Sequence, residues 1–116
     1  MEYRLSEGKQ SLTVHLEGEV DLQHSPTLRK ILLGGLESGR HVVVDLGGVS
    51  LVDSSALAAF VEAYQKAQTT KKEFILGDAQ APVWRIISLA RLDRVLPLYS
   101  DPKTMAERLE SGLTSV

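Results

Sequence analysis

The chain contains no cysteine among its 116 residues. This absence excludes disulfide bonds, thiol chemistry and zinc sites built on cysteine. The longest apolar runs also fall far short of the ~20 residues that cross a bilayer. The first residues, from Met1 to Leu5, lack the apolar segment of a secretory signal. We therefore expect a cytoplasmic protein that does not insert into membranes.

Aromatic residues and excess charge are scarce as well. One Trp, two Phe and three Tyr offer few surfaces on which a nucleic-acid base could stack. The formal net charge is −2, from 13 basic and 15 acidic residues, so we expect no broad positive surface and no nucleic-acid partner. Hydrophobic residues make up 43% of the chain, an ordinary value for a globular protein. The length predicts one domain over residues 1–116, with a frayed tail after about residue 112.

Hydrophobic periodicity predicts the order ββαβαβαβα. In the second strand, Leu12, Val14 and Leu16 share one face, and the residues between them form a polar face that is expected to meet water. The other signals are strands at Tyr3–Leu5, His41–Leu46, Glu73–Leu76 and Val95–Tyr99, a Gly47-Gly48 turn, and helices that begin at Ser25-Pro26, Ser54-Ser55, Pro82 and Asp101-Pro102.

Strands that alternate with helices predict an α/β fold with a mostly parallel sheet. The first two strands are close enough in sequence to form an antiparallel hairpin at one edge. Functional residues in such sheets gather where strands end and helices begin. Asp21, Asp45 and the segment from Asp53 to Ser55 all follow strand-like segments, so the site is expected among them.

The stretch from Val49 to Leu57 places two adjacent hydroxyls, Ser54 and Ser55, where an apolar strand gives way to a helix. One interpretation is that a serine caps the helix while Asp53 helps to satisfy its first N–H groups. The other is a phosphorylation site, because a helix start tolerates the added charge of about −1.5 to −2. The spacing fits both interpretations.

Three segments together resemble the STAS domain of anti-sigma factor antagonists: Asp53-Ser54-Ser55-Ala56-Leu57 after the Val-rich strand, Gly18–Asp21, and Ile86–Asp93. The resemblance extends over nearly the whole chain. It implies partner switching, in which the unphosphorylated antagonist binds an anti-sigma factor and frees sigma. The same anti-sigma factor is a serine kinase whose phosphorylation of the antagonist ends the binding, and a PP2C-type phosphatase resets it.

The resemblance also assigns roles to residues. The phosphoacceptor would be Ser54, with Ser55 as the second choice, and the partner-binding residues would be Asp21, Asp53, Ser54, Ser55 and Ala56. Two positions depart from the family pattern, since Ala56 stands where glycine is most common and Ala90-Arg91 replaces a glycine-containing turn. The alternative is a STAS subunit of a transporter, lipid-transport or stressosome-like assembly that uses the same surface for docking.

Nothing in the sequence indicates an enzyme. Ser54 lies outside a G-x-S-x-G motif, and the Gly47-Gly48 pair lacks the lysine of a phosphate-binding loop. His15, His24 and His41 show no metal-ligand spacing and are expected at the surface. An acidic cluster of Asp45 with Asp53, as in a response-regulator receiver, is disfavoured because the sequence lacks the adjacent acidic pair and the late lysine of that fold. We expect no cofactor, no metal, and a monomer or weak dimer.

Overall fold

The computed structural model describes residues 1–112, which form a five-stranded sheet with helices on both faces. The strand order is β1-β2-β3-β4-β5, with β1 antiparallel to β2 and the remaining pairs parallel. The elements are β1 (Glu2–Glu7), β2 (Ser11–Val20), α1 (Ser25–Glu37), β3 (His41–Val52), α2 (Ser54–Thr70), β4 (Phe74–Gly77), α3 (Ala81–Leu89), a 3-10 turn (Leu92–Arg94), β5 (Leu98–Tyr99) and α4 (Pro102–Glu110). The predicted fold class and element order are confirmed. The predicted tail lies outside the described residues.

The main core lies between the sheet and helices α1, α2 and α3. Leu12, Val14 and Leu16 of β2 point into it, as their alternation predicts. Phe60 of α2 is fully buried there, with its ring centroid 6.4 Å from that of Phe74 in β4. This packing fixes α2, and therefore its N-terminus, against the sheet.

Helix α4 covers part of the opposite face and forms a second, smaller core. Val43 and Ile75 from the sheet meet Met105 and Leu109 from this helix. The polar face of β2 is therefore not wholly exposed, as the alternation alone suggested, because Thr13 is only 5% accessible. Strand alternation shows which residues share a face, but not whether a distant helix covers it.

Glu110 attaches the end of α4 to the β1–β2 turn. Its carboxylate accepts hydrogen bonds from the Ser11 backbone N–H at 2.6 Å, the Ser11 hydroxyl at 2.7 Å and the Gln10 N–H at 3.1 Å. The Ser11 hydroxyl is the largest of the influences that hold the pKa of Glu110 below its ordinary value. The Glu110 carboxylate therefore binds a proton less readily in the native state than in the unfolded chain.

A Glu110→Gln variant is expected to lower the melting temperature most at neutral pH. The stability from a carboxylate with a lowered pKa is fully present above its unfolded pKa of about 4.3. It is lost as the pH falls through the native value. Thermal unfolding followed by circular dichroism should therefore show a gap between wild type and Glu110→Gln that narrows in acid. Glu107→Gln, one turn earlier on the exposed side of the helix, is the control. A gap that is the same at every pH would contradict the role of the charge.

The Gly47-Gly48 pair is not a turn, and this part of the sequence prediction is wrong. Strand β3 runs through both glycines to Val52, with its register against β2 shifting in this region. A Cβ atom at Gly47 would lie 2.6 Å from the Asp78 carboxylate, and one at Gly48 would lie 2.8 Å from the Glu17 side chain. These glycines permit close approach inside the sheet.

Several element boundaries also differ from the prediction. Helix α1 begins at Ser25 with His24 at the cap position, and the Ser25 hydroxyl donates to the Leu22 carbonyl at 3.3 Å. The last strand contains only Leu98–Tyr99, and Val95 instead ends a 3-10 turn over Leu92–Arg94. The predicted start at Asp101 is confirmed, since its carboxylate accepts from the first N–H groups of α4.

Candidate functional site

Asp53, rather than a serine, caps helix α2. One carboxylate oxygen accepts from the N–H groups of Ser55 at 3.0 Å and Ala56 at 3.2 Å, and from the Ser55 hydroxyl at 2.6 Å. The other accepts from the Leu22 N–H at 2.9 Å. The Ser55 hydroxyl is the largest cause of a lowered pKa at Asp53, so this carboxylate is ionised at neutral pH.

The two adjacent serines have different environments. Ser54 is exposed, and within residues 1–112 its hydroxyl makes no hydrogen bond to a protein group. Ser55 is half-buried, and its hydroxyl is occupied by Asp53. The capping interpretation is thus satisfied by Asp53 and Ser55, which leaves the Ser54 hydroxyl available for another purpose.

The two serines also face different grooves. Ser54 lines a groove of about 600 Å³ between α2 and the end of α3, together with Leu57, Val61, Ala90 and Leu92. Ser55 lines a second groove, of about 620 Å³, between α1 and α2. A protein that docks over one serine therefore meets a different surface from one that docks over the other.

Asp21 lies in the loop between β2 and α1 and orders that loop. Its carboxylate accepts from the His24 ring at 2.7 Å and from the Gln23 N–H at 3.1 Å. Desolvation opposes its ionisation, but the hydrogen bond and charge attraction of His24 keep the pKa of Asp21 below its ordinary value. Because Leu22 donates to Asp53, the loop that carries Asp21 is joined to the start of α2.

Ala56 occupies a different place from the one that the sequence suggested. Its side chain is fully buried in the main core, so the methyl group faces away from the surface around Ser54. A partner at that surface would meet the helix without touching this side chain. The substitution of alanine for the family's common glycine therefore leaves access to Ser54 unchanged.

Leucines with exposed side chains lie around Ser54, and the sequence pattern did not predict them. Leu22 is 72% exposed and Leu89 is 77% exposed. Leu22 is held to Asp53, and Leu89 precedes Ala90, which lines the Ser54 groove. Leu51, near the end of β3, is also exposed. The signal for Leu22 is an apolar residue in a loop, and the signal for Leu89 is an apolar residue outside the apolar stripe of α3.

Asp45 is not part of this site. It lies within β3, where its carboxylate contacts the His15 ring at 2.8 Å. Within the described residues, no group of three or more metal-ligating side chains is found. In the same part of the chain, no helix is both long and apolar enough to cross a membrane.

A protein-family model described as "Mlab, STAS domain" matches residues 3–98. The chain belongs to the STAS domain family. The expected family is thus confirmed, and the match includes Asp21, the Asp53–Ala56 segment and the turn after α3. The departures at Ala56 and Arg91 therefore lie inside the matched region.

The STAS domain is similar to proteins named as regulators. An anti-sigma F factor antagonist from Paenibacillus polymyxa is 26% identical over 101 residues, which cover 85% of this chain and 86% of that protein. The crystal structure of an anti-sigma factor antagonist from Mycobacterium paratuberculosis has a TM-score of 0.80 at 23% identity, over 93% of this chain and 92% of the other. The Bacillus cell fate determinant SpoIIAA, solved in its phosphorylated form, has a TM-score of 0.71 at 13% identity, over 91% and 98%. The two structures share the fold of this chain, and the relatives are regulatory binding proteins, not enzymes.

Proposed function

We propose that this STAS domain is an anti-sigma factor antagonist that acts by partner switching in the cytoplasm. The unphosphorylated chain binds an anti-sigma factor and thereby frees the sigma factor. The anti-sigma factor is also a serine kinase, and its phosphorylation of Ser54 ends the binding. A PP2C-type phosphatase then restores the binding form. The similarity to the antagonist from Paenibacillus polymyxa supports the general role.

The observation that carries this proposal is the Ser54 hydroxyl, which is exposed and has no hydrogen-bond partner within residues 1–112, while the neighbouring Ser55 hydroxyl donates to the capping Asp53. A kinase needs a serine hydroxyl that it can reach without breaking the fold. Phosphorylation of Ser55 would first have to break its 2.6 Å hydrogen bond to Asp53. The geometry therefore favours Ser54 as the acceptor.

The surroundings of Ser54 suit a docking surface. Exposed Leu22 and Leu89 supply apolar side chains that gain free energy when a partner covers them. Asp53 places a carboxylate beside the serine. A phosphate at Ser54 would add a charge of about −1.5 to −2 to this interface, and burying that charge against a docked partner is costly.

Phosphorylation can be tested with the candidate anti-sigma kinase and ATP. We expect mass spectrometry to find one phosphate on the wild type and on Ser55→Ala, and none on Ser54→Ala. The Ser55→Ala variant is a matched control because it removes the adjacent hydroxyl and leaves Asp53 in place. Modification of Ser54→Ala would show that the assigned acceptor is wrong.

A second measurement tests the partner. The unphosphorylated chain should bind the anti-sigma factor in calorimetry, and the phosphorylated chain should not. If the chain neither binds nor is modified by any candidate anti-sigma factor, partner switching is excluded. The Ser54 surface would then fit the docking role expected of a transporter or stressosome-like subunit.

A further inference from the structure

We propose that the guanidinium of Arg91 pairs with the phosphate that Ser54 carries after phosphorylation. This inference rests on the proposed function and deepens it. It concerns what the phosphate meets on the surface of this chain, rather than which kinase supplies it.

Arg91 lies in the chain between two residues that line the Ser54 groove. Its two chain neighbours, Ala90 and Leu92, line that groove opposite Ser54 and Leu57 of α2. Arg91 is itself exposed, and within residues 1–112 it makes no ion pair. Both chain neighbours of Arg91 therefore belong to the wall of the groove, and the Arg91 guanidinium has no carboxylate partner within residues 1–112.

The backbone of Arg91 is an unfavourable place for an arginine. Its φ is 61° and its ψ is 20°, in the left-handed region that residues with a side chain rarely adopt. The N–H of Arg91 donates to the Ser88 carbonyl at 3.0 Å, so the turn that ends α3 imposes this conformation. Glycine would meet the same backbone requirement without strain. Lys71 and Asp78 adopt the same backbone region, so the conformation of Arg91 bears on its stability and does not by itself assign a role to its side chain.

The other charges near the groove show why the phosphate requires a cation there. Asp53 beside Ser54 is an ionised carboxylate, and Glu62 lines the same groove. Arg29 is held by Glu62 at 2.6 Å, so its charge is already partnered. A phosphate at Ser54 therefore has anionic neighbours at the start of α2 and along it, and Arg91 is a cation next to the groove that makes no ion pair within residues 1–112. Guanidinium and phosphate form strong, two-pronged hydrogen bonds.

This pairing gives the phosphate a second effect on the switch. The added charge opposes docking, and the pair between Arg91 and the phosphate crosses the groove from α3 to α2. The half-buried Leu92 in the groove is then covered from within the chain. The phosphorylated form loses contact area as well as charge complementarity.

The test uses the full chain with phosphoserine placed at position 54 during translation, so that no kinase is needed. The ³¹P resonance is titrated to find the second pKa of the phosphate. A nearby cation favours the dianion, so we expect this pKa to rise by about half a unit or more in Arg91→Gln. Arg94→Gln, which removes an exposed arginine from the same 3-10 turn, should leave it unchanged. Arg91→Lys should give an intermediate value.

An equal pKa in the wild type and Arg91→Gln would overturn the proposal, as would an equal shift in Arg94→Gln. Thermal unfolding of the unphosphorylated and the phosphorylated chain separates the backbone effect of Arg91 from its pairing with the phosphate. Arg91→Gly should raise the melting temperature of the unphosphorylated chain by relieving strain. It should remove any stabilisation that phosphoserine brings. Because the phosphate is installed without a kinase, failure of phosphorylation by anti-sigma factors would count against the proposed function alone.

Discussion

A Ser54→Asp variant is expected to bind the anti-sigma factor about a hundredfold more weakly than the wild type. The carboxylate would face the docked partner beside Asp53, and placing a like charge in an interface costs several kcal/mol. About 2.8 kcal/mol corresponds to the hundredfold change. Isothermal titration calorimetry measures it directly, and Ser54→Ala should keep nearly full affinity.

The fold of Ser54→Asp should be unaffected, since acidic residues are favourable in the first turn of a helix. Equal melting temperatures for this variant and the wild type would show that any loss of binding is local. Gln68→Glu places the same added charge on exposed surface near the other end of α2, at a distance of about 20 Å along the helix. Gln68→Glu should bind the anti-sigma factor with the affinity of the wild type. Retained affinity in a folded Ser54→Asp chain would contradict the charge-based switch.

Replacing Phe60 with alanine is expected to lower the free energy of unfolding by about 3–5 kcal/mol. The side chain is fully buried and joins α2 to Phe74 of β4, so its removal leaves a cavity between the helix and the sheet. This is a large share of the roughly 5–15 kcal/mol that stabilises an ordinary domain. Urea unfolding monitored by circular dichroism gives the value.

Leu89→Ala is the matched control for Phe60→Ala. Leu89 is 77% exposed, so its truncation should change the stability by no more than about 0.5 kcal/mol. A loss of less than about 1 kcal/mol in Phe60→Ala would mean that α2 is not held by this contact. The two variants together compare a buried side chain that stabilises the core with an exposed side chain that does not.

Much of this architecture could be predicted because local patterns and global packing agree. The alternation at Leu12, Val14 and Leu16 and the proline at Pro102 identified elements that the structure contains. The Gly47-Gly48 prediction failed because glycine is common both in turns and where strands approach closely. Only the position of Asp78 and Glu17 shows which applies.

In the candidate site, too, part of the arrangement could be predicted from the sequence and part could not. The sequence placed Ser54 and Ser55 at a helix start, where the spacing fits both capping and phosphorylation. The structure assigns the cap to Asp53 with the Ser55 hydroxyl, leaves Ser54 exposed, and moves Ala56 into the core. Neighbouring residues on a helix point about 100° apart, so adjacent serines enter different surroundings.

The sequence by itself determined the alternating elements, the cysteine-free composition and the strand-to-helix junction that carries Ser54, because these depend on residue type and short spacing. Tertiary structure alone decided that Leu22 is held to Asp53, that α4 covers part of the polar face of β2, and that the Arg91 turn adjoins the Ser54 groove. These contacts join segments that are distant in sequence. Their geometry follows from how the helices pack on the sheet, which no local pattern records.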